Sequence, residues 1–238
     1  MHKRFLRWTL LAAGLVLLGG CASKTKMVWN QCVAPEAALR KIWASWQKIA
    51  SEEGCHSDPE RGARCAQLER EIQQIADLCP HYPPALTGAA AVAYSQKRYP
   101  EAQRYLDRTL ALQPIYPSAA AMRARIAMEE GNFPFALRFL SERIQLSPDD
   151  SQLREVYAAA LYFSGKTEEA KAELRSAALL GAPGWRIAYH RGLMEEAGGE
   201  FMEAENSYEE ALRQRVGWRP PQSRLQALKT LRPEPVLK

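Results

Sequence analysis

With 238 residues, 47% of them hydrophobic, the chain can bury a sizeable core, and its many Ala, Leu, Glu, Arg and Gln residues against few strand signals predict an all-α fold. The formal net charge of +5 conceals an acidic body: residues 213–238 carry seven basic residues against the single Glu234, residues 1–20 carry three against none, and residues 21–212 are left with a net −4. That body argues against nucleic acid as a partner.

Residues 1–20 read as an export signal. Lys3, Arg4 and Arg7 make a positive start, and Trp8 to Leu18 is an apolar run too short to span a bilayer comfortably. The run ends in Leu18-Gly19-Gly20-Cys21, which resembles the lipobox of bacterial lipoproteins; the plain alternative is a secretory signal that happens to contain a cysteine. The resemblance implies cleavage before Cys21 and acylation of that residue. At about 0.8 kcal/mol per buried methylene, three acyl chains make an essentially permanent anchor. By the same resemblance, Ala22 in place of an aspartate implies the outer membrane of a two-membrane bacterium, with the chain facing the periplasm. Residues 21–31 are then a lipidated tether.

Residues 32–82 predict a helical hairpin. Glu36 to Glu53 carries Leu39, Ile42, Trp43, Trp46 and Ile49 on one stripe, and Pro59 to Leu78 carries Leu68, Ile72 and Ile75. Four cysteines remain beside Cys21, and in an exported chain they imply two disulfides with three possible connectivities. An antiparallel hairpin brings Cys32 and Cys79 to its open end and Cys55 and Cys65 to its closed end, which favours those pairs. A metal site combining these cysteines with His56 and His81 is the alternative, but no C-x-x-C pair supports it. No metal or cofactor is expected.

From residue 83 the chain repeats. Ala102, Ala136, Ala170 and Ala204 lie 34 residues apart, each followed four residues later by Leu106, Leu140, Leu174 or Tyr208. Gly131, Gly165 and Gly199 precede three of the alanines, and Pro114 and Pro148 keep the same period. The alanine must be small because two helices cross there, the glycine turns the chain between them, and the proline ends the second helix. One such hairpin cannot bury its apolar face, whereas a stack can. The period and residue order resemble the tetratricopeptide repeat (TPR) family, which implies an α-solenoid of antiparallel helix hairpins. Four repeats fill 83–218, and the hairpin at 32–82 is a degenerate repeat in which Leu68 replaces the crossing alanine. Whether it stacks or only caps the array is open at this point.

Placed on the family pattern, the first helices line a groove with Tyr94, Arg125, Met128, Glu155, Tyr162, Phe163, Arg186 and Tyr189. The Lys and Asn set with which some TPR proteins hold a terminal carboxylate is missing. Aromatic residues beside arginines suit a peptide or helix of a partner protein, although several of these aromatics could equally be inter-repeat core. Residues 219–238 predict a capping helix over Gln222 to Leu231 and a basic tail; Arg219, Arg224, Lys229 and Arg232 read as a solvated outer face, with contact to an anionic envelope polymer or an acidic partner as the alternative. No P-loop, dinucleotide fingerprint, G-x-S-x-G or H-E-x-x-H occurs, and His190 reads as structural, so no catalysis is expected. The layout resembles outer-membrane TPR lipoproteins that serve as assembly adaptors, among them pilotin-type factors for pili and secretins. The alternative is a groove that holds a glycan or small ligand beside an envelope enzyme.

Overall fold

The computed structural model describes residues 32, 35–52, 55 and 58–231. The export signal, Cys21, the tether, His56 and residues 232–238 lie outside them. Among the described residues there are eleven α-helices and no strand. They are α1 (Pro35–Glu52), α2 (Pro59–Leu78), α3 (Pro83–Ser95), α4 (Tyr99–Leu112), α5 (Pro117–Glu129), α6 (Phe133–Leu146), α7 (Ser151–Phe163), α8 (Thr167–Leu179), α9 (Gly184–Ala197), α10 (Phe201–Gln214) and α11 (Arg219–Leu231). None is long and apolar enough to cross a membrane.

Local sequence sets the helix ends. Asp58, Asn132 and Asp150 cap α2, α6 and α7 by accepting the backbone N–H of Arg61, Phe135 and Leu153 at 2.9, 3.2 and 2.8 Å. Prolines stand in the first turns of α2 to α6, where a missing N–H costs nothing. The same proline tolerance corrects the cap. α11 begins at Arg219 and not at Gln222, because Pro220 and Pro221 fit inside its first turn.

Each turn between the two helices of a repeat uses one left-handed residue: Gly131, Gly165 and Gly199 at φ 74°, 79° and 79°, and Lys97 at φ 59°. The N–H of the next residue then reaches back five positions, as from Asn132 to the Ala127 carbonyl at 2.7 Å and from Arg98 to that of Ala93 at 2.9 Å. Lys97 adopts this conformation without the freedom of glycine, so the first repeat carries strain that the other three lack.

The crossing alanines Ala102, Ala136, Ala170 and Ala204 are all 0% exposed. Ala90, Ala124 and Ala158 join Ala102, Ala136 and Ala170 in three successive core clusters with Leu106, Leu140 and Leu174. A second small position, on the first helix, therefore shares the 34-residue period. In the last repeat it is Gly192, against which Tyr208 packs.

The N-terminal hairpin stacks as a repeat. Leu39, Ile72, Ile75 and Ala76 share one core with Ala85, Leu86, Ala89 and Val92 of α3, and Leu68, 34 residues before Ala102, is buried. Cys32 is joined to Cys79 and Cys55 to Cys65, with Cα atoms 5.4 and 5.8 Å apart. Successive first helices touch one another all along the array, α1 to α3, α3 to α5, α5 to α7 and α7 to α9. The array therefore curves toward their face. At the other end Leu228 of α11 is buried with Leu193, Ala204 and Tyr208. Arg224, expected on a solvated face, instead donates to Glu196 Oε2 at 3.0 Å, latching the cap to α9.

Candidate functional site: the groove along the first helices

The face formed by the first helices holds a groove of about 590 Å³ at its N-terminal end. α1 contributes Glu36, Leu39, Arg40, Trp43 and Gln47, a stripe at helical spacing. α3 and its cap contribute Tyr82, Thr87, Gly88 and Ala91, α5 and its cap Tyr116, Ser118 and Met122, and α7 Gln152. The walls thus set Leu39, Trp43, Tyr82, Tyr116 and Met122 among polar side chains, and Gly88 and Ala91 add little bulk.

The α5 stripe Ser118, Met122 continues to Arg125, and Gln152 is one turn before Glu155. At that point the groove changes character. Glu155 is 1% exposed. Its Oε2 accepts from Arg125 Nη2 at 3.2 Å and faces Arg186 Nε at 3.0 Å, and its Oε1 stands 2.7 Å from His190 Nε2. Three successive repeats supply these side chains: Arg125 from α5, Glu155 from α7, Arg186 and His190 from α9. Burial alone would raise the Glu155 pKa. The hydrogen bond from His190 and the charges of His190, Arg125 and Arg186 reverse that and hold it below the ordinary carboxylate value. Burial, then the neighbouring Arg186 guanidinium, pushes Arg125 down to about 10 against the pull of Glu155.

Beyond the cluster lie more rings. Tyr189 packs edge-on to Trp218 at 4.8 Å between centroids, Trp185 meets Trp218 at 4.6 Å, and Arg215 covers Trp185 at 4.2 Å. Tyr162 donates to the Leu193 carbonyl at 3.0 Å and touches two core clusters, so it ties α7 to α9. Phe163 is 54% exposed and stacks on Phe133 at the turn edge. Tyr94 lies beside Glu129 and Tyr99. Met128 packs against the cluster of Ala124, Ala127 and Leu140. Burial raises the pKa of Tyr94, Tyr162 and Tyr189, so each keeps its O–H at neutral pH.

Of the side chains expected in the groove, Arg125, Glu155 and Arg186 come together. Tyr162, Tyr189 and Met128 do inter-repeat packing as well or instead. Trp43, Tyr82, Tyr116, Met122 and His190 were not among the expected groove residues. Tyr82 and Tyr116 are 34 residues apart, a signal the period itself carries. Among the described residues no group of three or more His, Cys, Asp or Glu is placed to hold a metal ion.

No protein-family model and no curated protein matches the sequence. Solved structures share its fold. The TPR protein TTC0263 of Thermus thermophilus aligns with a TM-score of 0.61 at 17% identity, covering 71% of this chain and 92% of its own. A TPR protein of Parabacteroides merdae gives 0.61 at 16% identity, over 88% and 86%. A chain of the APC/C hetero-tetramer Cut9–Hcn1 gives 0.63 at 13% identity, over 86% of this chain and 42% of its own. The fold is a TPR α-solenoid with a disulfide-stapled first hairpin and a terminal capping helix.

Proposed function

We propose that this chain is an outer-membrane lipoprotein whose solenoid faces the periplasm and grips a segment of a partner protein during assembly of the cell envelope. The observation that carries the reading is the groove: a hollow of about 590 Å³ walled by Trp43, Tyr82, Tyr116 and Met122, with a charged cluster one turn further along α5 and α7. Aromatic and arginine side chains in a recess are the usual carriers of interface energy. A chain of the same fold is itself one component of the hetero-tetramer Cut9–Hcn1. Export is supported by the four paired cysteines, since disulfides persist in oxidising compartments. Anchoring is supported by the Leu-Gly-Gly-Cys junction at Cys21.

The test uses full-length protein in a two-membrane bacterium, with chemical crosslinking and fractionation. Ser118 is a small residue in the groove wall, so Ser118→Trp fills the recess without touching the core. The expected result is at least a tenfold loss of the crosslinked partner, about 1.4 kcal/mol, with unchanged far-UV circular dichroism. Undiminished capture by this variant overturns the groove reading. Cys21→Ser should move the protein from the outer membrane to the soluble periplasm. Membrane-bound protein with an unmodified Cys21 by mass spectrometry overturns the anchor.

A further inference from the structure

We infer that the Arg125–Glu155–Arg186 cluster takes the carboxylate of an aspartate or glutamate side chain within the gripped segment. The inference rests on the groove reading and specifies the chemistry of its occupant.

The charges at the cluster do not balance. Two guanidiniums converge on a single carboxylate oxygen, Glu155 Oε2. The Glu155 side chain is 2% exposed, whereas those of Arg125 and Arg186 are 25% and 23% exposed. The carboxylate is therefore a buried base on which two cations stand and reach the surface. Each guanidinium carries five N–H donors in a planar fork, and Glu155 engages Arg125 through one nitrogen and Arg186 through another. A second carboxylate accepting the outward N–H groups would complete the balance, in a partly desolvated site where charge-assisted hydrogen bonds are strong. Burial and, after it, the Arg186 charge depress Arg125, and the same occupant offsets the second of these. In the recess Glu36 and Arg40 both line the wall, one turn apart on α1, and near the cap Arg224 donates to Glu196.

The position of the cluster selects the source of the carboxylate. Along the stack Arg125 of α5 and Arg186 of α9 come after the aromatic recess of α1, α3 and α5 and before the Tyr189 and Trp218 rings. A segment that fills the recess and also reaches the rings passes over the cluster in mid-chain, so the carboxylate belongs to a side chain and not to a chain terminus. Packed helices lie about 10 Å apart, and an extended chain advances about 3.3 Å per residue. The recess and the cluster are one to two helix spacings apart, which places an apolar or aromatic residue roughly three to six positions from the acidic one.

A phage library of random dodecapeptides, fused so that their C-termini are blocked, is selected on immobilised full-length protein. The expected pool is enriched in Asp or Glu with an apolar residue at that spacing. A synthetic winner is then titrated by calorimetry. Changing its acidic residue to the amide should weaken binding at least tenfold, Arg125→Gln should do the same, and the two changes together should cost no more than either alone. The peptide-side change leaves the protein intact, so the result stands even if Arg125→Gln perturbs folding. A pool with no acidic preference, an amide that binds equally well, or a winner lost only when its free C-terminus is amidated overturns the carboxylate site and leaves the groove reading standing. A library that yields no binder, together with undiminished partner capture by Ser118→Trp, overturns both.

Discussion

Glu155→Ala is expected to lower stability by about 3 kcal/mol, because removing one partner of a buried ionic group leaves the others uncompensated. In a domain of this size that reads as a fall in Tm of roughly 6–12 °C. Arg125, Arg186 and His190 all face the carboxylate within 3.2 Å, and each of the three is only 15–25% exposed at its side chain. None can recover full hydration without moving its helix. Glu155→Gln should cost less, since an amide oxygen still accepts a hydrogen bond while the charge is lost. Glu155→Leu combined with Arg125→Met and Arg186→Met should recover most of the loss, because an apolar triad of similar volume removes the desolvation penalty altogether. The pH dependence has a fixed sign. The folded pKa of Glu155 lies below its ordinary value of 4.5, so the cluster's contribution is fully present above that value and is lost as pH falls through the folded pKa. The stability gap between Glu155 and Glu155→Ala should therefore hold from neutral pH down to about pH 5 and close in stronger acid. A gap that widened in acid would refute the ionised cluster.

The parts of this architecture that the sequence displays are those imposed by local sterics. A crossing of two helices demands a small residue wherever it occurs, so Ala102, Ala136, Ala170 and Ala204 mark it at a fixed period, and the left-handed turn marks itself with Gly131, Gly165 and Gly199. Hairpin geometry likewise points to the partners of Cys32 and Cys55. The groove is harder to read because groove and seam are adjacent stripes of one helix, and the twist between repeats decides which stripe is open. Met128 is three residues beyond Arg125 on α5, yet it packs into the core while Arg125 reaches the surface. Tyr162 carries the composition of a binding residue and spends its hydroxyl on the Leu193 carbonyl. His190 has no local partner, since its carboxylate is 35 residues away on the preceding repeat. Trp43 stands on the hairpin where Leu68 breaks the alanine pattern, so the period does not extend to it. The interplay of Gly192 and Tyr208 is equally invisible along the chain, because each departs from the repeat only in the presence of the other.

That pair gives the second large expected effect. Gly192→Ala should destabilise the last repeat by about 2 kcal/mol through overpacking, although alanine is the better helix former by about 1 kcal/mol. A Cβ at Gly192 would stand 2.6 Å from Tyr208 Cε1 and 2.8 Å from Cδ1, closer than carbon atoms tolerate. The ring cannot step aside freely. Tyr208 is 0% exposed, and its hydroxyl donates to Glu196 Oε2 at 2.6 Å, the same oxygen that receives Arg224 of α11 at 3.0 Å. Displacing the ring therefore loosens the latch that holds the terminal helix, and hydrogen exchange should rise across 219–231 before it rises elsewhere. Tyr208→Leu removes the obstruction and recreates the Ala–Leu pairing of the three preceding repeats, Ala90 with Leu106, Ala124 with Leu140 and Ala158 with Leu174. The double variant should thus be more stable than Gly192→Ala alone by at least about 1 kcal/mol, a coupling expected only of residues in contact. Ala124→Gly is the control: it should cost about 1 kcal/mol from helix propensity and leave α11 undisturbed. If urea unfolding finds Gly192→Ala neutral or stabilising, then Tyr208 does not hold this close approach, and the cap is fastened without it, by Leu228 and the Arg224–Glu196 bond.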